Sequence, residues 1–169
     1  IQNLSVSGNI TLNEDNSVPK SSIAAGGIAG TTYGKVINCK NYCVINAASK
    51  SEDAYVNAGG IAGVYSNEGC VIDRCSNFAD ISGSGVGGVR VGGICGDSDG
   101  NGLIRNCGNY GDVAAKGLSG KSLSIDAGGI TDKTYEDAII NCYNLGDVSA
   151  DDDAGGILAY QNGSEDVGY

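Results

Sequence analysis

Short runs of alternating apolar and polar residues, each bounded by glycine, asparagine or aspartate, recur at regular intervals along the chain. The copies of one ten-residue segment begin at Ile1, Val36, Ile72, Ile104 and Ile139. Every copy ends on Ile or Val, and all but the first have Cys at the fourth position and Asn two residues later. Short, β-branched segments with such boundaries predict strands rather than amphipathic helices.

A second block, which contains a pair of glycines, follows each ten-residue segment. Its copies read AGGIAG, AGGIAG, VGGICG, AGGITD and AGGILA, with the pairs at Gly26-Gly27, Gly59-Gly60, Gly92-Gly93, Gly128-Gly129 and Gly155-Gly156. We expect these pairs at corners of the coil, where glycine removes a Cβ atom or permits a positive φ. The intervening stretch varies from Thr11–Ala25 to Ser149–Ala154, which predicts a surface loop on one face of the array.

Two blocks in each repeat of 32–36 residues predict an all-β protein, a parallel β-solenoid (β-helix) of about five coils with one repeat per coil. The approximate coil boundaries are 1–35, 36–71, 72–103, 104–138 and 139–169. Helical solenoids require long stretches at 3.6-residue spacing, and leucine-rich repeats require leucines in fixed register; the chain has neither. We expect residues 1–169 to form a single repeat domain that is a fragment of a longer protein, because the chain opens inside an apolar segment without Met.

Equivalent residues of successive coils in such a solenoid stack about 4.8 Å apart and form ladders along its axis. The Ile and Val positions, with Cys between them, are expected to form the interior stacks. The predicted structural ladders are a cysteine column, Cys39, Cys75, Cys107 and Cys142, and an asparagine column, Asn41, Asn77, Asn109 and Asn144.

Composition narrows the range of functions. The 169 residues include 29 Gly and 1 Pro, and no collagen period is present. Because the chain has no His, triads of the Ser-His-Asp type are excluded. With 20 acidic and 10 basic residues and no basic cluster, we expect no nucleic-acid partner and no membrane insertion. The 7 cysteines are interpreted as small buried hydrophobic residues.

The alternation of the I-x-N-C-x-N-Y-G-D-V segment with A-G-G-I-x-G resembles the GLUG-motif repeats of bacterial surface and secreted proteins. These include adhesin-like proteins and the non-catalytic regions of IgA-specific metallopeptidases. The resemblance runs from Ile1 to about Tyr160 and rests on Asn106-Cys107, Gly111-Asp112-Val113, Gly128-Gly129-Ile130 and their counterparts. It implies a β-solenoid in the extracellular space or cell envelope of a bacterium, and it implies no particular activity. The first coil departs from the pattern, with Leu4 and Val6 where later coils have Cys and Asn.

Two sets of acidic residues are candidates for chemistry. Asp80, Asp112 and Asp147 share one register, so stacking would bring neighbouring carboxylates to about 5 Å, near the separation in retaining glycosidases. The alternative is a turn-forming role in each Gly-Asp or Ala-Asp step. Asp97, Asp99 and Asn101 match the first half of a calcium-binding loop, although no Glu follows at its twelfth position. Calcium is therefore the only candidate cofactor, and the alternative is a plain polar turn.

An aromatic row is a candidate for binding. Tyr42, Phe78, Tyr110 and Leu145 share a register and are expected either to form a ladder that covers the core or to present a stacking strip for sugar rings, with the ladder favoured.

Taken together, these features predict a non-enzymatic repeat module of a bacterial cell-surface or secreted protein, which serves as a stalk or an adhesin-like binding surface. Its expected partners are neighbouring domains of a larger surface protein and a host or bacterial glycan or protein. The alternative is a small polysaccharide lyase or hydrolase of the β-helix type, in which the stacked Asp80, Asp112 and Asp147 are catalytic.

Overall fold

The protein is an all-β solenoid built from parallel sheets, which confirms the predicted fold class. The computed structural model describes residues 1–15, 22–100, 102–118, 123–134 and 138–161. Across these ranges the chain makes about four complete turns and so builds five levels of strand. They contain no helix that is long and apolar enough to cross a membrane.

Each turn of the chain contributes strands to four sheets, which we number in the order in which the chain meets them. The strands of sheet 1 are Ser5–Glu14, Lys40–Ser49, Ser76–Asn77 with Ile81–Gly85, Gly108–Asn109 with Val113–Gly117, and Tyr143–Asn144 with Val148–Ser149. The strands of sheet 2 are Ser22–Gly26, Tyr55–Gly59, Gly88–Gly92, Ile125–Gly128 and Ala154–Gly155. The strands of sheet 3 are Ala29–Thr32, Ala62–Ser66, Cys95–Asp99, Thr131–Thr134 and Leu158–Gln161. The strands of sheet 4 are Lys35–Ile37, Val71–Asp73, Leu103–Arg105 and Ala138–Ile140.

The stretch predicted as a surface loop between the two blocks is strand at both ends, so the loop is shorter than predicted. In the first coil sheet 1 continues to Glu14 and sheet 2 begins at Ser22, while residues 50–54 of the second coil and 150–153 of the fifth lie outside the strands. Alternating small apolar and polar residues let these segments extend the sheets, because every second side chain enters the interior.

The asparagine column forms the predicted ladder. Parallel pairing aligns Asn41 with Asn77, Asn77 with Asn109, and Asn109 with Asn144. The side-chain amides of Asn41, Asn77 and Asn109 each donate to the Oδ1 atom of the asparagine in the next level at 2.7–2.8 Å. All four column amides also donate to the carbonyl oxygen two residues ahead in their own level, at 2.7–2.9 Å. The ladder therefore satisfies its buried amides by binding levels together.

The second glycine of each of the first four pairs packs against this ladder, and this contact divides the interior into two cores. A Cβ atom on Gly93 would lie 2.6 Å from Nδ2 of Asn109 and closer still to the carbonyl oxygen of Gly129. On one side of this contact sheets 1 and 2 enclose an aliphatic core, which includes Ile45 and Val89. On the other side sheets 3 and 4 enclose a second core, which includes Ile94 and the column cysteines. We call this contact the waist.

The glycine pairs lie at the corner between sheets 2 and 3, as predicted, whereas the residues with a left-handed conformation lie at another corner, where sheet 4 leads into sheet 1. These corner residues have φ values of 53–59°, and they are Asn3, Asn38, Arg74, Asn106 and Asn141. None of the ten paired glycines has a positive φ. Asparagine tolerates this conformation better than other residues with side chains. The glycine pairs are therefore required for the close approach at the waist, which is the first of the two reasons considered for them.

Candidate functional site

The aspartate column is assembled as predicted, and its carboxylates bind the backbone. Oδ1 of Asp80 accepts a hydrogen bond from the amide of Asp112 at 3.0 Å, and Oδ1 of Asp112 accepts one from the amide of Asp147 at 2.9 Å. All three residues are exposed and lie in the bend between the two strand segments of their level in sheet 1. Asp80 and Asp112 therefore do the same work in successive levels, and neither is distinguished as an acid or a base.

The aromatic row forms a continuous stack on the outer face of sheet 1. The ring centroids of Tyr42 and Phe78 are 4.8 Å apart, and those of Phe78 and Tyr110 are 4.7 Å apart, with nearly parallel planes. The predicted fourth member, Leu145, follows Tyr110 in the same register but has no ring to stack. Tyr143 instead meets Tyr110 edge to face, with a hydrogen bond between the two hydroxyl groups.

The middle ring of the stack offers only its edge. Phe78 has a ring on each side, yet its side chain is still 38% exposed because the stack lies outside the core. A sugar ring that stacks on an aromatic face would find both faces of Phe78 occupied. The stack therefore acts as a ladder on the surface, and the expectation that it covers the core was wrong.

The calcium candidate lies at the end of a sheet 3 strand and is only partly described. Asp97 is buried and its Oδ2 atom accepts a hydrogen bond from Nη1 of Arg90 at 2.7 Å. Asp99 ends the strand, and Asn101 lies outside the described residues. Within the described ranges no three His, Cys, Asp or Glu side chains converge on a point that could hold a metal ion. Calcium binding stays a prediction.

A cluster of charged residues that the repeat does not contain lies between the outer faces of sheets 2 and 3. We call it the groove cluster, and its members are Arg90, Asp97, Asp126, Asp132 and Lys133. Register pairing places Arg90 beside Asp126 in sheet 2. Arg90 lies 4.1 Å above the ring centroid of Tyr55, and Lys133 Nζ is 3.8 Å from Oδ1 of Asp97. A hollow of about 220 Å³ adjoins the cluster and is lined in part by Asp153 and Tyr160.

Asp132 is the most unusual member of the groove cluster. It stands one residue after Thr131, which pairs with Cys95, so it occupies the register of Gly96. Its side chain is fully buried, and neither carboxyl oxygen has a hydrogen-bond partner; the nearest ion pair is with Nε of Arg90 at 3.7 Å. Burial and then the charge of Asp97 raise the pKa of Asp132 well above its usual value, against opposing effects of Arg90 and Lys133.

The sequence contains a signal for this cluster that lies outside the motifs described above. The last residue of the second block is Gly30, Gly63 and Gly96 in the first three coils and Asp132 in the fourth. This change from glycine to aspartate shows that the fourth coil differs from the repeat at a position where a carboxylate is unexpected. The sequence alone does not show that Asp132 joins a charged cluster, because this depends on the contact between the outer faces of sheets 2 and 3.

Asp73 shows the opposite electrostatic behaviour at the corner of the third level. Its carboxylate accepts hydrogen bonds from Asn106 at 2.9 Å and from Arg105 at 3.2 Å. The Asn106 hydrogen bond is the largest of the effects that lower the pKa of Asp73, and Arg105 and Arg74 add to it. Asp73 is thus held ionised as a structural link between two levels.

Replacing Asp132 by asparagine is expected to stabilise the protein at neutral pH. Because the folded state favours the neutral carboxyl group, wild-type stability falls as the pH rises above the unfolded pKa, about 3.9. Asp132→Asn removes this loss, and we expect the free energy of unfolding at pH 7 to rise by about 1 kcal/mol. In a domain of this size this corresponds to a melting temperature higher by about 2–4 °C at pH 7 and unchanged at pH 3.5.

The measurement is a melting series from pH 3.5 to pH 8, with Asp53→Asn as the control. Asp53 is exposed, so this variant makes the same charge change without burial. A lower melting temperature of Asp132→Asn at pH 7 would mean that the ion pair with Arg90 outweighs the burial of the carboxylate.

Comparison with known proteins does not add to this description. No family model, no curated protein and no solved structure matched the chain.

Proposed function

We propose that the chain is a non-enzymatic repeat module of a bacterial cell-surface or secreted protein, which acts as a stalk or an adhesin-like binding surface. The observation that carries this proposal is the use of the Asp80 and Asp112 carboxylates as backbone acceptors in successive levels. A glycosidase needs one carboxylic acid and one carboxylate in different environments. Equivalent acceptors in exposed bends favour a scaffold.

The internal ladders support the role of a stalk. Asparagine amides join each level to the next from Asn41 to Asn144, and the column cysteines add contacts from the amide of Cys39 to Sγ of Cys75 at 3.5 Å and from the amide of Cys75 to Sγ of Cys107 at 3.4 Å. The asparagine bonds thus join the second level to the fifth in one direction along the axis, and they resist separation of these levels. The bacterial and extracellular parts of the proposal rest on the resemblance to GLUG-motif repeats.

The groove cluster supports a binding surface as the second part of the proposal. A solenoid that served only as a spacer would gain nothing from departing from its repeat at Asp132, where burial of a carboxylate costs stability. The adjoining hollow combines charged groups with the half-exposed ring of Tyr160. Convergent polar groups beside an aromatic ring are typical of ligand sites.

The proposal predicts that the wild-type protein cleaves neither acidic nor neutral polysaccharides. Reducing ends and unsaturated products are measured after long incubation with polygalacturonate and with an unbranched glucan, beside Asp112→Asn. That variant keeps an Oδ1 acceptor for the amide of Asp147, so it should remain folded. For both proteins we expect no more reducing ends or unsaturated products than in a buffer blank. Cleavage by the wild type that Asp112→Asn lacks would establish the lyase or hydrolase alternative instead.

A further inference from the structure

Two tyrosine side chains meet between the last two described levels of sheet 1, outside the core. The rings of Tyr110 and Tyr143 are arranged edge to face with their centroids 5.5 Å apart, and their hydroxyl groups share a hydrogen bond. Both side chains are exposed, so a small oxidant in the solvent can reach them. The repeat does not produce this pair, because Leu145 and not Tyr143 holds the register of Tyr110 in the last level.

A glycine of the fourth level gives Tyr143 the room to reach its partner. Parallel pairing sets Gly108 beside Tyr143, and the equivalent residues of the two levels before are Ser76 and Lys40, which carry side chains. A Cβ atom on Gly108 would lie 2.5 Å from Oη and 2.7 Å from Cε2 of Tyr143. The Tyr143 ring therefore lies across Gly108 toward Tyr110, and a side chain at position 108 would displace it.

A pair of phenols held in this way is suited to oxidative coupling. One-electron oxidation of a phenol with loss of its proton leaves a phenoxyl radical, and two such radicals join through the carbons next to the C–O carbon. The product, dityrosine, carries its two hydroxyl groups side by side, as the hydrogen bond between Tyr110 and Tyr143 already holds them. Because the two groups are held together in the folded chain, their coupling is favoured over coupling between different molecules.

We propose that Tyr110 and Tyr143 form a dityrosine cross-link when a peroxidase and hydrogen peroxide oxidise the protein. Each phenol loses one electron and one proton, and hydrogen peroxide takes up both electrons and both protons to give two molecules of water. One bond forms between a Cε atom of each ring, and the hydrogens on these two carbons move to the oxygens and restore the phenols. The inference goes beyond the proposed function, and it applies equally to a stalk and to a binding surface.

Oxidation of the dilute whole chain by a peroxidase and hydrogen peroxide tests this site. Blue fluorescence reports dityrosine, and peptide mass spectrometry locates the bond as a linked pair of peptides that has lost two hydrogen atoms. We expect the monomer to carry mainly the link between Tyr110 and Tyr143. Tyr42→Phe is the matched control, because Tyr42 is an exposed ring of the same stack whose ring neighbour is Phe78. This variant should form the link as the wild type does.

Gly108→Ser keeps both tyrosines and removes only the room for their contact. The new side chain would displace the exposed ring of Tyr143, which can turn into solvent, so the variant should keep the circular dichroism spectrum of the wild type. We expect it to form at least about tenfold less of the link, because the two phenols are no longer held together.

The wild type unfolded in urea gives a second readout that depends on no variant. It should lose the preference for this pair and couple its tyrosines without selection. The cross-linked protein should also melt at a higher temperature than the untreated protein, because the bond restricts the unfolded chain between residues 33 apart. An equal yield of the link from folded Gly108→Ser, or from the wild type in urea, would overturn the proposal.

Discussion

Replacing Gly93 by alanine is expected to destabilise the protein by about 3 kcal/mol or more, the upper end of the range for overpacking a well-filled interior. The new Cβ atom would lie 2.6 Å from Nδ2 of Asn109 and would also overlap the carbonyl oxygen of Gly129. A main-chain oxygen in a sheet cannot rotate away, and Asn109 is fixed by hydrogen bonds to Asn144 and Gly111. The clash is therefore relieved only by separating the two sides of the waist.

Gly156→Ala is the matched control for this prediction. Gly156 is the second glycine of the last pair, the position that Gly93 holds two levels earlier, and a Cβ atom there would meet nothing within 4 Å. Urea unfolding should therefore show a large loss for Gly93→Ala and a change within about 1 kcal/mol for Gly156→Ala, because alanine also restricts the unfolded chain. Equal losses in both would mean that the waist is not closely packed.

Replacing Asn77 by valine is expected to cost about 3 kcal/mol or more. Asn77 is fully buried, accepts a hydrogen bond from Asn41, and donates to Asn109 and to the carbonyl oxygen of Ala79. Valine leaves these partners buried without their bonds, and each orphaned group costs about 1–3 kcal/mol. Shape is not the cause, since Val6 occupies the equivalent register beside Asn41.

Asn144→Val distinguishes the contribution of the ladder hydrogen bonds to stability from the contribution of the asparagine side chain alone. Asn144 lies in the last described level and accepts only from Asn109 among the ladder amides. Its replacement should cost less than half as much as that of Asn77 in the same urea unfolding experiment. If the two variants were equally destabilised, the bonds between levels would not carry the stability assigned to them.

The fold could largely be predicted from the sequence, because equivalent residues of successive repeats lie next to each other in a solenoid. Cys39, Cys75 and Cys107 recur in one register, and parallel pairing necessarily stacks them. The same logic predicted the Asp80, Asp112 and Asp147 column. It also predicted that the column cysteines would be buried, and three of the four are fully buried.

Other features depended on contacts between different sheets, which a repeat does not encode. The waist joins a glycine of one block to an asparagine of another, and nothing in the spacing of Gly93 and Asn109 indicates their contact. The groove cluster depends on how sheets 2 and 3 meet. Arg90 and Asp97 are seven residues apart in sequence, and only the fold brings them close enough to form a hydrogen bond. The replacement of glycine by Asp132 was visible in the sequence, but its consequences became clear only from the three-dimensional structure.

The one-way direction of the asparagine ladder makes the two faces of the solenoid chemically different. Asn41, Asn77 and Asn109 each donate to the level that follows, and Val6, which pairs with Asn41, offers no side-chain amide to it. Hydrogen bonds that run head to tail polarise one another, so the bonds of the ladder strengthen each other. Asn77 and Asn109, which both accept and donate within the ladder, gain most from this effect.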